Sequence, residues 1–537
     1  MSQRILLGDE AVALGAIHAG VSAAYAYPGT PATEIMEFLL DWREDHGRPH
    51  AAWCANEKTA FEEALGVCFA GRRAMVSMKH VGLNVAADPF MNSALVAPHA
   101  GLVVAVADDP GMHSSQNEQD SRFYADFAKV LCLEPATQAE AYAMTREAFD
   151  LSERFRVPVM VRLVTRLAHS RTTIEVGEPR AENPIRRAPV RSSWILLPGN
   201  ARRQWHELLE RQKDLMVWSE GSAWNPLELT GDGALGVITA GIARNYFLEN
   251  AGDLAARPSH LHIGAYPLPL GSIRHLAAHV KRILVLEDGY PFIERQLHGL
   301  LGGPVGVIGK HTGHVPEDGE LTPDSVRAAL GLPARPTVGH AEFGLPGRPP
   351  QLCAGCPHGH AYHALQKAFE GLEHTMVTAD IGCYTLGALQ PYAAIESCVC
   401  MGASIGMAKG AAEAGSHPVV AVIGDSTFLH SGLTPLMDAV AADTNMTVLI
   451  LDNEAVAMTG GQEPVVSTSR LHSILLGIGV PAEHCHVVEA APRQVQHNSE
   501  VIRRELDHHG LSVVIALKEC IQTAKRRRRE AEAEVPA

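Results

Sequence analysis

An aspartate and an asparagine at the ends of two successive apolar runs are the residues of this 537-residue chain best placed to hold a charged ligand. The run Pro418–Ile423 ends in Gly424-Asp425-Ser426, and the run Met446–Asp452 ends in Asn453. A carboxylate from Asp425, the amide oxygen of Asn453 and a backbone carbonyl near Ala455 make three hard oxygen ligands. That leaves room on an octahedral magnesium ion for two diphosphate oxygens and a water. Gly424 lets a phosphate approach the backbone closely. A glycine–aspartate pair alone is weak, because most such dipeptides mark turns.

Other residues invite chemistry at shorter range. In AYPGTPAT, Thr30 and Thr33 lie at a turn that opens a helix, where exposed amides attract a carboxylate; the simpler role for Thr33 is to cap that helix. Glu57 starts a helix after the strand-like Ala51–Cys54, a position that the helix dipole favours for any carboxylate. Lys79, His80 and Asn84 follow an apolar run, and His113 and Arg122 lie in DDPGMHSSQNEQDSR; His80 and His113 are the candidates among them for catalytic work. In Cys353-Ala-Gly-Cys356-Pro-His358 two thiolates three positions apart can share a zinc or iron, but a closed site needs two more ligands and no second CxxC occurs. No protein-bound metal besides magnesium is therefore expected, and Cys398 and Cys400 are expected to pack in a core.

These residues need rigid strands to position them. Runs rich in Val, Ile and Leu recur at Ala74–Met78, Gly101–Val106, Val157–Val164, Leu235–Thr239, Arg282–Glu287, Pro418–Gly424, Met446–Asp452 and Leu511–Leu517. Apolar on both faces and spaced for crossover helices, they predict doubly wound α/β sheets with Asp425 and Asn453 at the carboxyl edge, where ligands bind. Pro, Gly and charge crowd Val176–Arg191 and Gly331–Gln351, which read as joints. The expected division is 1–180, 190–335, 345–525 and a charged tail at 526–537, whose arginine run reads as a solvated helix end.

The net charge of −15 opposes a general nucleic-acid binder. The longest apolar stretch, Ala94–Ala107, is too short for a membrane helix, and the first residues lack a signal-peptide core. Ten scattered cysteines suit a reducing compartment, so a cytoplasmic location is expected.

Several segments together resemble the alpha subunit of indolepyruvate ferredoxin oxidoreductase, in collinear order over nearly the whole chain. They are Gly8–Ile35, NEKTAFEEALG (Asn56–Gly66), VSMKHVGLNVAADPF (Val76–Phe90), Asp108–Ala125, Tyr266–Glu294, CAGCPHGHAYHAL (Cys353–Leu365) and DIGCYTLGALQP (Asp380–Pro391). The Gly424-Asp425 and Asn453 spacing resembles the diphosphate signature of thiamine enzymes, with Ser426 where a second glycine is usual.

The resemblance implies three doubly wound domains of thiamine diphosphate-binding type: pyrimidine-binding, transketolase C-terminal-like and diphosphate-binding. It implies thiamine diphosphate and Mg2+ as cofactors, with Cys353, Gly355, Cys356, His358, Asp380, Gly382 and Cys383 around the cofactor. Glu57 takes the place of the acid that activates the pyrimidine ring, and Thr30 that of a group bonding the substrate carboxylate or keto oxygen. The activity implied is oxidative decarboxylation of an aryl 2-oxo acid with coenzyme A, with a small partner subunit and ferredoxin or another redox protein as electron acceptor. A dimer of heterodimers, with the cofactor at an interface, is also implied. Resembling subunits continue into a ferredoxin-like module, whereas here only a basic tail follows Cys520. No iron–sulfur cluster is therefore expected on this chain. A non-oxidative lyase is the alternative, and a scaffold that merely kept the fold is a third reading, opposed by the joint presence of Glu57, Asp425 and Asn453.

Overall fold

The computed structural model describes residues 2–186, 194–230, 233–301, 305–336 and 350–533. The chain divides into two units, Met1–Gly339 and His340–Ala537.

The first unit is built on two large sheets. Seven strands run in the spatial order Ala265–Tyr266, Leu131–Leu133, Val159–Val164, Leu102–Asp108, Ala74–Lys79, Ala23–Ala26 and His50–Trp53, parallel except for the first. A five-stranded sheet follows the order Gly306–Ile308, Arg282–Leu286, Leu235–Ala240, Ser259–Ile263 and Leu227–Glu228, antiparallel only at the last. The Leu102–Asp108 strand is buried at every residue because helices cover both faces, which is why its sequence reads as an unbroken apolar run. A small ribbon pairs Ser2–Leu6 with Thr172–Val176.

The second unit holds one sheet of five parallel strands, Met376–Ala379, Val419–Gly424, Met446–Asp452, Leu511–Leu517 and Cys485–Glu489. Along Val419–Gly424, Val420 and Val422 join one apolar cluster while Val419, Ala421 and Ile423 join the other. Each such side chain contributes roughly 1.5–3 kcal/mol by leaving water. The strand is thereby fixed in register, and Asp425 falls where it ends. The doubly wound α/β class expected from the sequence is the fold observed.

Three details differ from expectation. The described part of the first joint is strapped to its neighbours, since Glu182 accepts from Ser22, Arg48 and Arg72 and Asn183 donates to Glu153. Residues 187–191 of that joint, and 337–349 of the second, lie outside the described residues. Cys398 and Cys400 are exposed, not core residues, because the segment around them pairs with no strand. In the basic tail, Arg526 donates to the carbonyls of Gly460 and Gly461, pinning the loop beyond Asn453.

Candidate functional site

In the second unit the strand ends gather the expected residues. Asp425, 5% exposed, follows Gly424 at the tip of one strand, and Asn453, also 5% exposed, follows Asp452 at the tip of its neighbour. The Asp425 Oδ2 atom is buried with no hydrogen-bond partner among the described residues. Burial, then the adjacent Asp452 carboxylate, push the Asp425 carboxyl well above the ordinary range. Two carboxylates side by side, with no cation to offset them, suit a divalent ion. Asn453 Oδ1 accepts the Ala455 amide at 3.3 Å, and Asp452 Oδ1 accepts the Glu454 amide at 3.1 Å, so the loop is bent to face the strand tips. Asp452 was not singled out from sequence; as the last residue of an apolar run it reads as a strand end.

Around this edge, Asp380 is buried, accepting from Tyr384 Oη and, at 3.1 Å, from the Ser404 amide. Burial raises its carboxyl to about 6. The Tyr384 ring covers Gly382 and Gly424: a Cβ would lie 2.3 Å and 2.7 Å, respectively, from its Cε1. At Gly424 this ring also requires the absence of a side chain. Ser426 is half-buried, its hydroxyl 3.4 Å from Asp425 Oδ1. His358 opens the helix Pro357–Ala368, is 4% exposed, and neither ring nitrogen has a partner among the described residues. Burial lowers it to about 4, so the imidazole is neutral and offers one donor and one acceptor to a ligand.

The turn before that helix depends on Gly355 at φ 78°, where the Cys356 amide reaches back to the Cys353 carbonyl. Beside it stand Cys383 and Cys520, and the thiols lie near enough that the other three contribute to raising Cys383, and Cys353 and Cys520 to raising Cys356. Burial is the larger cause, taking Cys383 to about 12. The Cys520 amide donates to the Asn453 carbonyl at 2.9 Å, so this thiol cluster adjoins the loop that carries the proposed metal ligand. Sequence reading joined Cys383 to this turn only by resemblance and did not join Cys520, because both enter from distant strand ends.

In the first unit another group forms at the carboxyl edge of the seven-stranded sheet. Glu57 is the first residue of the helix Glu57–Phe69, whose N-cap Asn56 accepts the Thr59 amide at 2.8 Å. The Glu57 carboxylate is buried against Gly82, where a Cβ would lie 2.5 Å from Oε1. Glu62 is exposed and pairs with Lys58, and Glu63 is exposed and accepts from Cys54 Sγ at 3.4 Å, so neither competes for that position. Lys79 ends its strand with its stem under Gly29 and Nζ 3.2 Å from the Ser114 carbonyl, while Ser114 Oγ donates to the Thr30 carbonyl at 3.3 Å. Burial lowers Lys79 to about 8, opposed by Asp109 and Glu57. Thr30, Lys79 and Glu57 thus share one polar cleft. Thr33 Oγ1 accepts the Gly29 amide at 3.1 Å, closing the turn that presents Thr30.

His80 is buried, with Nε2 3.1 Å from the Asn117 carbonyl and Nδ1 unpaired among the described residues. His113 is exposed and faces Glu320 at 3.5 Å, so the structure does not bring it to the Thr30 group. Asn84 accepts from Tyr124 Oη at 2.7 Å. Arg122 is fully buried among Asp120, Glu287 at 2.9 Å and the carbonyls of Asp288 and Tyr290; all its donors are spent tying the two large sheets of this unit together.

Two family models match the chain. Residues 14–195 match "Pyruvate flavodoxin/ferredoxin oxidoreductase, thiamine diP-bdg", and residues 380–516 match "Thiamine pyrophosphate enzyme, C-terminal TPP binding domain". Thr30, Glu57, Lys79 and His80 lie inside the first span, and Asp380, Asp425 and Asn453 inside the second. The indolepyruvate oxidoreductase subunit IorA of Archaeoglobus fulgidus is 38% identical, covering 98% of this chain and 88% of that protein. The subunit of the same name from Methanothermobacter thermautotrophicus is 38% identical over 96% of this chain and 86% of that protein. That from Thermococcus kodakarensis is 34% identical over 96% and 85%. With two thiamine diphosphate-binding regions and end-to-end likeness to these subunits, the chain belongs to the indolepyruvate oxidoreductase subunit IorA family of thiamine diphosphate-dependent 2-oxo acid oxidoreductases.

Proposed function

We propose that this chain binds Mg2+-thiamine diphosphate and oxidatively decarboxylates an aryl 2-oxo acid, indolepyruvate or a close analogue, to the acyl-coenzyme A thioester. The observation that carries the reading is the buried, unpartnered Asp425 oxygen beside Asp452 and Asn453 at the strand tips. Such a site is costly until a cation arrives. Asp425, Asn453 and the Ala455 carbonyl would hold Mg2+ on the diphosphate. His358, Gly355, Gly382, Asp380 and Ser426 would line the cofactor's surroundings. Bound thiamine diphosphate supplies an acidic thiazolium carbon and an electron sink for the electrons left when carbon dioxide departs. Glu57 would hold a proton at the aminopyrimidine ring nitrogen, buried so that the proton is shared with the ring and not with water. Thr30 and the Lys79 ammonium would orient the 2-oxo acid, the cation facing its carboxylate. His80, with a free Nδ1, would move a proton in that cleft; His113 is kept only as a rim residue.

A second observation concerns the electrons. Two thiols fall short of a closed metal site, but Cys353, Cys356, Cys383 and Cys520 are four, the number that holds an iron–sulfur cluster. We therefore place a candidate one-electron acceptor on this chain, where sequence alone argued for none; a small partner subunit and a ferredoxin-like protein would complete the path. Among the described residues no helix is long and apolar enough to cross a membrane, in keeping with a cytoplasmic heteromer, proposed as a dimer of heterodimers.

The test is turnover of indolepyruvate by the chain co-expressed with its small subunit, with coenzyme A and a one-electron dye. Acyl-coenzyme A formation coupled to dye reduction is expected. Aldehyde release without dye reduction would establish the lyase instead. Anaerobic reconstitution with iron and sulfide should give visible absorbance that the Cys383→Ser variant lacks; equal absorbance would remove the cluster.

A further inference from the structure

Behind the turn that presents Thr30, three side chains converge that play no part in the chemistry above. Asp9 lies in the first turn of the helix Gly8–His18, Glu34 in the first turn of Thr33–His46, and His169 caps the end of Thr165–Ala168. One ligand atom from each lies within 4.8 Å of the other two. Asp9 is 0% exposed, and neither of its carboxylate oxygens has a hydrogen-bond partner among the described residues. Glu34 faces it, and His169 Nε2 stands 3.4 Å from Glu34 Oε2. The close packing is enforced: a Cβ at Gly8 would lie 2.2 Å from the Leu167 carbonyl oxygen, so the helix start is pressed onto the element that carries His169.

The fully buried Asp9 carboxylate faces the half-buried Glu34 carboxylate, and among the described residues no cationic side chain is bonded to Asp9, so the pair can hold either a shared proton or a metal ion. The His169 imidazole adds a nitrogen ligand that a shared proton does not need. We propose that Asp9, Glu34 and His169 form a structural site for a divalent transition-metal ion of the zinc class, with water as the fourth ligand. Two oxygens and one imidazole nitrogen suit such an ion better than Mg2+ or Ca2+. Ligand atoms around a tetrahedral ion stand roughly 3.3 Å apart, so the three ligand atoms, within 4.8 Å of one another, need draw together by at most about 1.5 Å. The ion would lock the start of the Thr33–His46 helix, and with it the Gly29–Thr33 turn, against the first helix of the chain.

Co2+ is the probe, titrated by equilibrium dialysis and absorption into the full chain loaded with magnesium and thiamine diphosphate. One ion without thiolate charge-transfer bands is expected in Cys383→Ser, and in the wild type the same ion besides any held by the four thiols. It should be absent in Asp9→Asn and held tenfold or more weakly in His169→Ala, and Zn2+ should displace it. His169 is partly exposed, so its variant carries the test if Asp9→Asn fails to fold. Equal Co2+ stoichiometry and affinity in wild type and His169→Ala would overturn the proposal. So would an infrared carboxylic-acid band that the metal leaves unchanged and Asp9→Asn removes, since that is the shared proton.

Discussion

Asp425→Asn should make the cofactor-free protein more stable while removing its ability to gain stability from the cofactor. In the cofactor-free chain Asp425 is buried, Oδ2 has no partner among the described residues, and Asp452 repels its charge. Leaving such a group unsatisfied costs about 1–3 kcal/mol. Because its folded pKa lies above the unfolded one, the folded chain keeps a proton that the unfolded chain releases above pH about 4. Stability of the cofactor-free chain therefore falls as pH rises through that window, and the cost is complete once pH exceeds the folded pKa. Asn carries no charge and removes the slope. For a unit of this size one kcal/mol is about 2–4 °C, so the variant's cofactor-free midpoint should rise by roughly 2–12 °C at neutral pH. The wild type, given Mg2+ and thiamine diphosphate at 100 times Kd, should gain about 2.7 kcal/mol. The variant should gain none, since an amide leaves the diphosphate charge uncompensated. Thermal unfolding of both proteins with and without cofactor, at several pH values, reads all four quantities. A lower cofactor-free midpoint in the variant, or an undiminished cofactor shift, would refute the assignment of Asp425 to a cation.

Glu57→Gln should retain cofactor binding by calorimetry but slow deuterium exchange at the thiazolium carbon by about 100-fold or more, because an amide cannot share an acidic proton with the ring nitrogen. Gly82→Ala places a methyl 2.5 Å from Glu57 Oε1, so exchange should slow and stability should fall by about 1–3 kcal/mol, seen together in exchange and melting. Lys79 is lowered to about 8 by burial, so its charge is present below that pH and lost above it. The kcat/KM for the 2-oxo acid should therefore fall as pH rises through about 8, and Lys79→Met should raise KM about tenfold or more and abolish that limb of the profile.

Legibility in the sequence followed burial. The runs Leu102–Asp108, Met446–Asp452 and Leu511–Leu517 are buried almost throughout, so their composition announces them within a residue or two. Ala23–Ala26 is equally central but made of small residues with weak strand preference. Ser259–Ile263 hides because His260 and His262 are buried in it, each with one ring nitrogen at the Thr239 hydroxyl, 2.8 and 3.0 Å away. At the site, the places of Asp425 and Asn453 were readable because each follows a strand directly, and that of Glu57 because it opens a helix shortly after one. Cys520 was not, because its relation to Cys353 exists only after the sheet forms and Leu511–Leu517 delivers it beside the Asn453 loop. Arg122 and His113 misled for the opposite reason: their loop is rich in polar residues, but most of that polarity is consumed internally, as when Asp109 accepts from Thr165, Ser114 and Ser115.

Buried charge in this protein therefore comes in two kinds, and the difference separates architecture from chemistry. Arg122 and Arg162 are wholly buried, yet Asp108, Asp120, Glu134 and Glu287 meet them on all sides, so their desolvation is offset within the fold. Removing one partner would strand the rest, which makes the network a fastener between the two large sheets of the first unit and leaves it nothing to offer a ligand. Asp425 and His358 are buried to the same degree with polar atoms left over, and Lys79 keeps its ammonium beneath the Thr30 turn with only partial compensation. A fold that tolerates such groups gives up stability at those places, and the deficit is recovered only when a ligand of opposite character arrives. That the deficits at Asp425 and Lys79 fall at the carboxyl ends of parallel strands, within regions matched by thiamine diphosphate-binding families, is what ties the geometry to the chemistry.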